Sequence, residues 1–293
     1  MTNSFLRLLF LTVVTTFVTS CGSSSSSTTV TVGGEGGSIR VVNLISGSSA
    51  SVTARSRRQV AQSEVPSDYS GTVSTIDGLT FIYDSEPLSL GGPVNFLSAG
   101  DYTSLAASQY QVSDTTLSGE FLAEVQRGAV RNTVFLRGVY ELLDQFSYSL
   151  ILLTDSCLTF DRVTFSCVAG DVTALQQVLT ENPDPSRASL RVSFFGRHGV
   201  DDEFGGDLMP EVFLAGPGEE VDGGVSLDLL PRNSYELSST YIDLEQGFYR
   251  LQISLEIDGE TQTVEQVLQL DSSQSQEVYL TLTEDDSLVA TVR

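Results

Sequence analysis

Past residue 38, apolar positions recur at every second residue in short runs broken by Gly, Asp, Asn, Ser and Pro. Strict alternation puts one side of an extended strand toward a core and the other toward solvent, so the body reads as half-buried β-strands. Two hairpins stand out. Thr72 to Ile76 and Leu79 to Tyr83 flank Asp77-Gly78, and Leu251 to Ile257 and Thr261 to Leu268 flank Asp258-Gly259. Asp-Gly supplies the two positive φ angles that a type I′ turn requires. Further strands are predicted at Ile39 to Leu44, Val52 to Arg55, Tyr102 to Ala107, Thr133 to Arg137, Phe146 to Leu153, Leu190 to Phe195, Val225 to Leu229 and Val278 to Thr283. One short helix is expected over Val172 to Leu179, where apolar residues at 172, 175, 178 and 179 follow a possible Asp171 cap.

Short motifs recur in order. Ser38-Ile39-Arg40-Val41 returns as Ser189-Leu190-Arg191-Val192, Leu97-x-x-Gly100-x-Tyr102 as Leu244-x-x-Gly247-x-Tyr249, and Val134-Phe135-Leu136 as Val278-Tyr279-Leu280. Two copies of one β unit explain this most simply. In each, the opening motif places Ile39/Val41 or Leu190/Val192 on one face and the Arg on the other. The run Ile39-Arg40-Val41-Val42-Asn43, the Ala99-Gly100-Asp101-Tyr102 turn and the Thr133-Val134-Phe135 strand, repeated loosely in the second half, resemble the β-sandwich family called domain of unknown function 4397, found in tandem in exported bacterial proteins. The second copy departs from the pattern at Phe194 and Phe248, where Asn43 and Asp101 stand in the first. The resemblance implies an immunoglobulin-like sandwich and brings no catalytic residues with it.

The start of the chain follows another pattern. Met1 to Arg7 carries one positive charge, and Leu8 to Val18 is an apolar run too short for a bilayer, which needs about 20 residues. Val18-Thr19-Ser20-Cys21 then resembles the lipobox of bacterial lipoproteins, implying a signal peptide over 1–20 and lipid on Cys21. Several acyl chains, each contributing about 0.8 kcal/mol per buried methylene, hold firmly where a single chain binds marginally. Gly22 stands where Asp would mark inner-membrane retention, so the resemblance points to the outer membrane. Ser, Thr and Gly dominate from Gly22 to Gly37, a composition that buries too little apolar surface to offset its ordering entropy. It reads as a tether.

Charge narrows the partners. The chain has 38 acidic and 15 basic residues, all of the latter Arg, for a net charge of −23; loss of residues 1–20 would make it −24. Nucleic acid is excluded as a partner because phosphate binding needs a basic surface. The same charge keeps the body off anionic headgroups. One basic island, Arg55-Ser56-Arg57-Arg58, reads as a charged loop after a strand, with an acidic ligand or the chain's own carboxylates as other possible partners.

Candidate chemistry is sparse. Cys157 and Cys167 are spaced to face one another across a hairpin centred on Arg162, and a disulfide is favoured over zinc because no third ligand lies nearby. The single histidine, His198, has no Gly-x-Ser-x-Gly nucleophile to serve. Asp201, Asp202, Glu203 and Asp207 could supply oxygen ligands for calcium, but their spacing does not match a calcium loop, and a solvated acidic loop is the preferred reading. No cofactor is implied.

These observations predict an all-β chain: two tandem immunoglobulin-like β-sandwich domains after a lipoprotein signal peptide and flexible linker. The expected segments are 1–20 signal peptide, 21–37 lipidated Cys and tether, 38–155 first repeat, 156–186 disulfide hairpin and linker, and 187–293 second repeat. The expected role is a non-catalytic envelope lipoprotein, a binding, adhesive or scaffolding module with a protein or glycan partner. The alternative is a hydrolase of envelope polymers using a carboxylate pair from distant strands.

Overall fold

The computed structural model describes residues 37–76, 78–83, 86–106, 119–136, 142, 146–161, 166–179, 186–196, 208–219, 224–233, 236–257, 259–283 and 285–293. Side chains at 76, 134, 135, 154–161, 166–179 and 233 are outside the description. The described residues are all-β, with a single 3-10 turn at Gln62–Glu64.

The first half comprises β1 (Gly37–Asn43), β2 (Ser48–Val60), β3 (Val73–Ile76), β4 (Leu79–Tyr83), the short β5 (Leu88–Ser89), β6 (Val94–Asn95), β7 (Ser98–Ala99) and β8 (Thr103–Leu105), then β9 (Gly119–Arg127), β10 (Val130–Phe135), β11 (Ser147–Asp161) and β12 (Ser166–Leu179). The second comprises β13 (Ala188–Phe195), β14 (Glu211–Ala215), β15 (Val225–Leu227), β16 (Leu230–Asn233), β17 (Glu236–Ser238), β18 (Ile242–Leu244), β19 (Gly247–Ile257), β20 (Glu260–Leu270), β21 (Ser275–Leu282) and β22 (Leu288–Val292).

Four sheets result. Sheet I runs β12-β11-β1-β7 with β8 also on β1, and sheet II runs β10-β9-β2-β4-β3 with β5 and β6 on β2. Sheet III runs β16-β17-β13-β21-β22 with β18 on β13, and sheet IV runs β15-β14-β19-β20. Alternation selects what lies between them. Ile39, Val41, Tyr148, Leu150 and Leu152 of sheet I meet Ala50, Val52, Ala54, Phe121, Ala123 and Val125 of sheet II in one core. Leu190, Val192, Phe194, Val278 and Leu280 of sheet III meet Val212, Leu214, Leu251, Ile253 and Leu268 of sheet IV in another.

The two halves repeat one topology. β1 pairs in parallel with β11 and antiparallel with β7 and β8; β13 pairs in parallel with β21 and antiparallel with β17 and β18. Likewise β2 pairs with β9 and β9 with β10, as β14 pairs with β19 and β19 with β20. Registers then define equivalent positions: Val41 lies beside Leu150 and Val192 beside Val278, so Ile151 corresponds to Tyr279. Two of the three sequence matches therefore need correction. Gly247 opens β19, whereas Gly100 follows β7 beside β1, and Val134-Phe135-Leu136 belongs to β10 and its end while Val278-Tyr279-Leu280 belongs to β21. Three-residue apolar matches recur by chance in a chain rich in β-formers. Only the opening Ser-x-Arg-Val pair occupies equivalent strands.

Both Asp-Gly hairpins form as predicted, with Ile76 opposite Leu79 and Ile257 opposite Glu260 across two-residue turns whose Gly78 and Gly259 have φ of 81° and 79°. The helix expected over Val172 to Leu179 does not. Those residues lie in β12, paired with β11 from Ser147↔Leu179 to Thr154↔Val172. A 3.6-residue apolar spacing over eight residues is too short to outweigh a ready-made sheet edge.

A third apolar cluster lies on the sides of sheets I and III that face away from their own cores: Val42, Leu44, Ile151 and Leu153 pack with Phe195 and Tyr279. The Phe195 and Tyr279 rings meet edge to face at 5.4 Å. The layers therefore succeed one another as II, I, III, IV.

Candidate functional site

Between sheets I and III the two motif arginines converge. Arg40 and Arg191 occupy the same position of β1 and β13 and point away from their respective cores, as the alternation requires. Arg40 Nη2 lies 3.3 Å from Glu277 Oε2, and Arg191 Nη2 donates to Glu277 Oε1. The Glu277 side chain is 2 % exposed, those of Arg40 and Arg191 13 % and 12 %. Each guanidinium lies over a tyrosine, Arg40 at 5.0 Å from the Tyr102 ring centre and Arg191 at 4.6 Å from that of Tyr241. Tyr241 and Tyr279 hydroxyls also donate to Glu277, and Arg40 Nε donates to Ser149 Oγ at 2.9 Å. Burial, then the neighbouring Glu277 carboxylate, pushes the Tyr279 hydroxyl well above its ordinary pKa, so it acts as a neutral donor. Burial opposes the charge on Arg191 as well, but Glu277 and the tyrosines around it outweigh this.

The basic island takes a different form from the one expected. Arg55-Ser56-Arg57-Arg58 continues β2 and is not a loop, because β4 pairs alongside it from Arg57↔Tyr83 to Val60↔Thr80. Arg57, 6 % exposed, lies 3.5 Å from Glu120 and over Phe81 at 4.3 Å, while Arg55 lies over Tyr83 at 4.7 Å. The chain's own carboxylate and aromatic rings thus engage this run.

The outer faces of sheets II and IV differ. On sheet II, Ser49, Ser51 and Thr53 of β2 sit beside Glu124 and Gln126 of β9, and Arg131 pairs with Glu124 at 3.9 Å. On sheet IV, Phe248, Arg250, Gln252, Ser254 and Glu256 of β19 point outward, with Val267, Glu265, Thr263 and Thr261 beside them on β20 and Phe213 on β14. Phe248 is 63 % and Val267 70 % exposed. A regular antiparallel ladder thus presents apolar groups and hydrogen-bonding side chains together on one open surface.

The other predicted residues fall largely outside the description. Cys21, the tether, His198 and the acidic set Asp201, Asp202, Glu203 and Asp207 lie outside the described residues. Cys157 and Cys167 lie in β11 and β12, but the register puts Cys157 opposite Gly170 and Cys167 opposite Phe160. The symmetric facing of the two cysteines predicted from their spacing is thus not the one adopted, because irregularities between Thr154 and Phe160 shift the ladder. Their sulfur atoms lie outside the described side chains. Among the described residues no cluster of His, Cys, Asp and Glu is arranged to hold a metal ion, and no helix is long and apolar enough to cross a membrane.

No protein-family profile matches the chain, and no curated protein matches it in sequence. The resemblance to domain of unknown function 4397 thus rests on its short motifs. Among solved structures, a putative cell adhesion protein from Bacteroides fragilis aligns over 85% of this chain and 84% of its own, with 10% identity and a TM-score of 0.26. The CBM26-family module CBMbc of Eubacterium rectale Amy13K, in complex with maltoheptaose, aligns over 87% and 96% with 12% identity and a TM-score of 0.23. A second putative cell adhesion protein, from Bacteroides eggerthii, aligns over 89% and 95% with 9% identity and a TM-score of 0.20. Likeness at this level carries no argument about how this chain works, which rests on its own geometry.

Sequence reasoning placed Arg40 and Arg191 outward but missed what receives them. Glu277 lies 237 residues from Arg40. A usable signal existed: two arginines predicted to face away from a core need a partner, and Glu277 stands one residue before the apolar run Val278-Tyr279-Leu280 on a predicted strand.

Proposed function

We propose that the chain is a non-catalytic envelope lipoprotein, held on the outer membrane by lipid on Cys21, whose β body binds an envelope or surface glycan or a protein partner in an adhesive or scaffolding role. The observation that carries this reading is the outer face of sheet IV. Phe248 and Val267 are largely exposed on a regular strand pair, set among Gln, Ser, Thr and Arg side chains that can hydrogen-bond. Contiguous exposed apolar surface rimmed by polar groups marks a binding surface, and Phe248 and Val267 stand as diagonal neighbours across one strand pair. Among the described residues, by contrast, the buried carboxylates of Glu277 and Glu236 are engaged by guanidinium and hydroxyl donors.

The test uses the full-length protein in detergent on an array of neutral and acidic bacterial polysaccharides. Binding to at least one array member is expected, weakened tenfold or more by Phe248→Ser with Val267→Thr at unchanged melting temperature. No binding to any member, or equal binding by the double variant, rejects sheet IV as the glycan-binding face. In parallel, Cys21→Ser is expected to leave the membrane fraction or to accumulate as an unprocessed precursor; normal processing and retention would overturn the lipid anchor.

Two site proposals accompany this reading. A Cys157–Cys167 bridge would require the end of the β11–β12 hairpin to slide from its present register, since Cα atoms more than about 7 Å apart cannot be bridged; mass mapping without reduction decides it, two free thiols rejecting it. Asp201, Asp202, Glu203 and Asp207 are read as a solvated acidic loop, so CaCl₂ and MgCl₂ at equal ionic strength are expected to stabilise the chain alike; a gain unique to calcium, and lost in Asp201→Asn with Asp207→Asn, would make the loop a calcium site. Equal gains would leave only screening of a highly acidic chain.

A further inference from the structure

The layer between sheets I and III divides its charges unevenly. Two arginines enter it from equivalent positions, yet the residues beside them differ: Arg191 lies next to Glu277 on the parallel strand, and Arg40 next to Ser149. Ser149 accepts from Arg40 Nε but carries no charge. Among the described residues the first half therefore supplies no carboxylate beside its own arginine, which reaches Glu277 in the second half instead. Burying a guanidinium without a countercharge is strongly destabilising. The apolar surfaces agree. Val42, Leu44, Ile151 and Leu153 of the first half and Phe195 and Tyr279 of the second are almost wholly buried, though all lie on the sides of their sheets turned away from their own cores. Thr291 Oγ1 of β22 and Nη2 of Arg293, which follows it, add donors to the carbonyl of Leu97, beside β7.

We infer that the outer face of sheet I is a built interaction surface whose fixed partner is the outer face of sheet III, and that Glu277 is the shared counter-ion joining the two halves into one obligate body. The dependence runs one way in charge: the second half neutralises its own Arg191, while the first takes the neutralisation of Arg40 from its neighbour. A chain of two independently hinged sandwiches would need neither the apolar seam nor the shared carboxylate.

The test is calorimetry of the full-length protein in detergent, read for the number of transitions. The wild type is expected to melt in one transition. Glu277→Gln removes the charge with little change of shape and is expected to split that transition or to lower it by roughly 10 °C, since breaking a buried pair is a large loss. The charge-transferred variant, Ser149→Glu with Glu277→Ser, moves the carboxylate to the equivalent position of the first half and is expected to restore a single transition near the wild-type temperature. Small-angle scattering of Glu277→Gln is expected to show a larger radius of gyration, and that of the transferred variant a normal one. An unshifted single transition in Glu277→Gln overturns the inference. If Glu277→Gln fails to fold, recovery in the transferred variant supports the inference and no recovery overturns it.

Discussion

The first half closes the turn after β1 around Asn43, whereas the second fills the equivalent position with Phe194. Asn43 is fully buried; its amide donates to the carbonyls of Ser48 and Val94 and to Ser48 Oγ, and its Oδ1 accepts from Ile45 N–H at 3.0 Å. Phe194 is equally buried, among Leu190, Val192, Leu237 and Leu280. The same alternation aims both side chains inward. One core position can thus be held by a hydrogen-bonded polar hub or by an aromatic plug, provided that every donor and acceptor buried with it finds a partner. The exchange at Ser149/Glu277 and Ile151/Tyr279 follows the same logic on the opposite side of the sheets. Topology is what the halves share, and the chemistry of the buried positions is where they part.

Truncation should separate the two solutions most clearly. Phe194→Ala is expected to cost about 3 to 5 kcal/mol, the usual range for emptying an aromatic site, measured by chemical denaturation. Asn43→Ala removes less volume and leaves the Ile45 amide and the Val94 carbonyl without their partner, so about 2 to 4 kcal/mol is expected. A loss at Asn43 below about 1 kcal/mol would mean that the polar hub is ornamental and the comparison empty.

A subtler contrast is set by Tyr279 against Ile151. The folded-state pKa of Tyr279 is raised, so its stabilising effect is complete below the ordinary tyrosine value near 10 and declines above it, where the unfolded chain ionises and the folded one does not. Stability is therefore expected to fall above about pH 10, and Tyr279→Phe to flatten part of that fall. Tyr83, Tyr102 and Tyr249 are also raised, each chiefly by burial, so some decline will remain. An unchanged alkaline profile in Tyr279→Phe would place that residue outside the effect.

The smallest difference concerns the two hairpins. Gly78→Ala and Gly259→Ala both put a Cβ on a left-handed residue with open space around it, and each is expected to cost about 1 kcal/mol by backbone strain alone. Unequal losses would mean that one turn is held by more than its own geometry.

These contrasts also mark how far the sequence could be read. The hairpins were legible because Asp-Gly between alternating runs is a local signal with one good solution. β9 was not anticipated, although Phe121, Ala123 and Val125 alternate inward, since its Glu, Leu, Ala and Gln residues are strong helix formers that hide the period. β14 escaped because Val212-Phe213-Leu214-Ala215 is an unbroken apolar run with no alternation to read. The repeat was recognised from its opening strand, but its later parts were matched to the wrong strands, because pairing between distant segments leaves little trace in short motifs. The Glu277 cluster depends on two such pairings at once, and on a contact between layers that no local pattern encodes.

The parallel pairing of the first strand has a mechanical meaning. β1 is not a free edge: β11 lies on one side, and β7 and β8 lie on the other. Tension entering at Gly37 along the strand would pull against both ladders together, from Ser38 N–H bonded to the Phe146 carbonyl at one end to Leu44 N–H bonded to that of Leu152 at the other. Such loading is shear, in which the bonds must yield collectively; an edge strand pulled outward would open one bond at a time. For a body held by the segment before Gly37 and dragged by flow or by whatever it grips, the strand that first takes the strain is among the slowest to let go, and lifetime under force would be governed by the unfolding rate of that clamp.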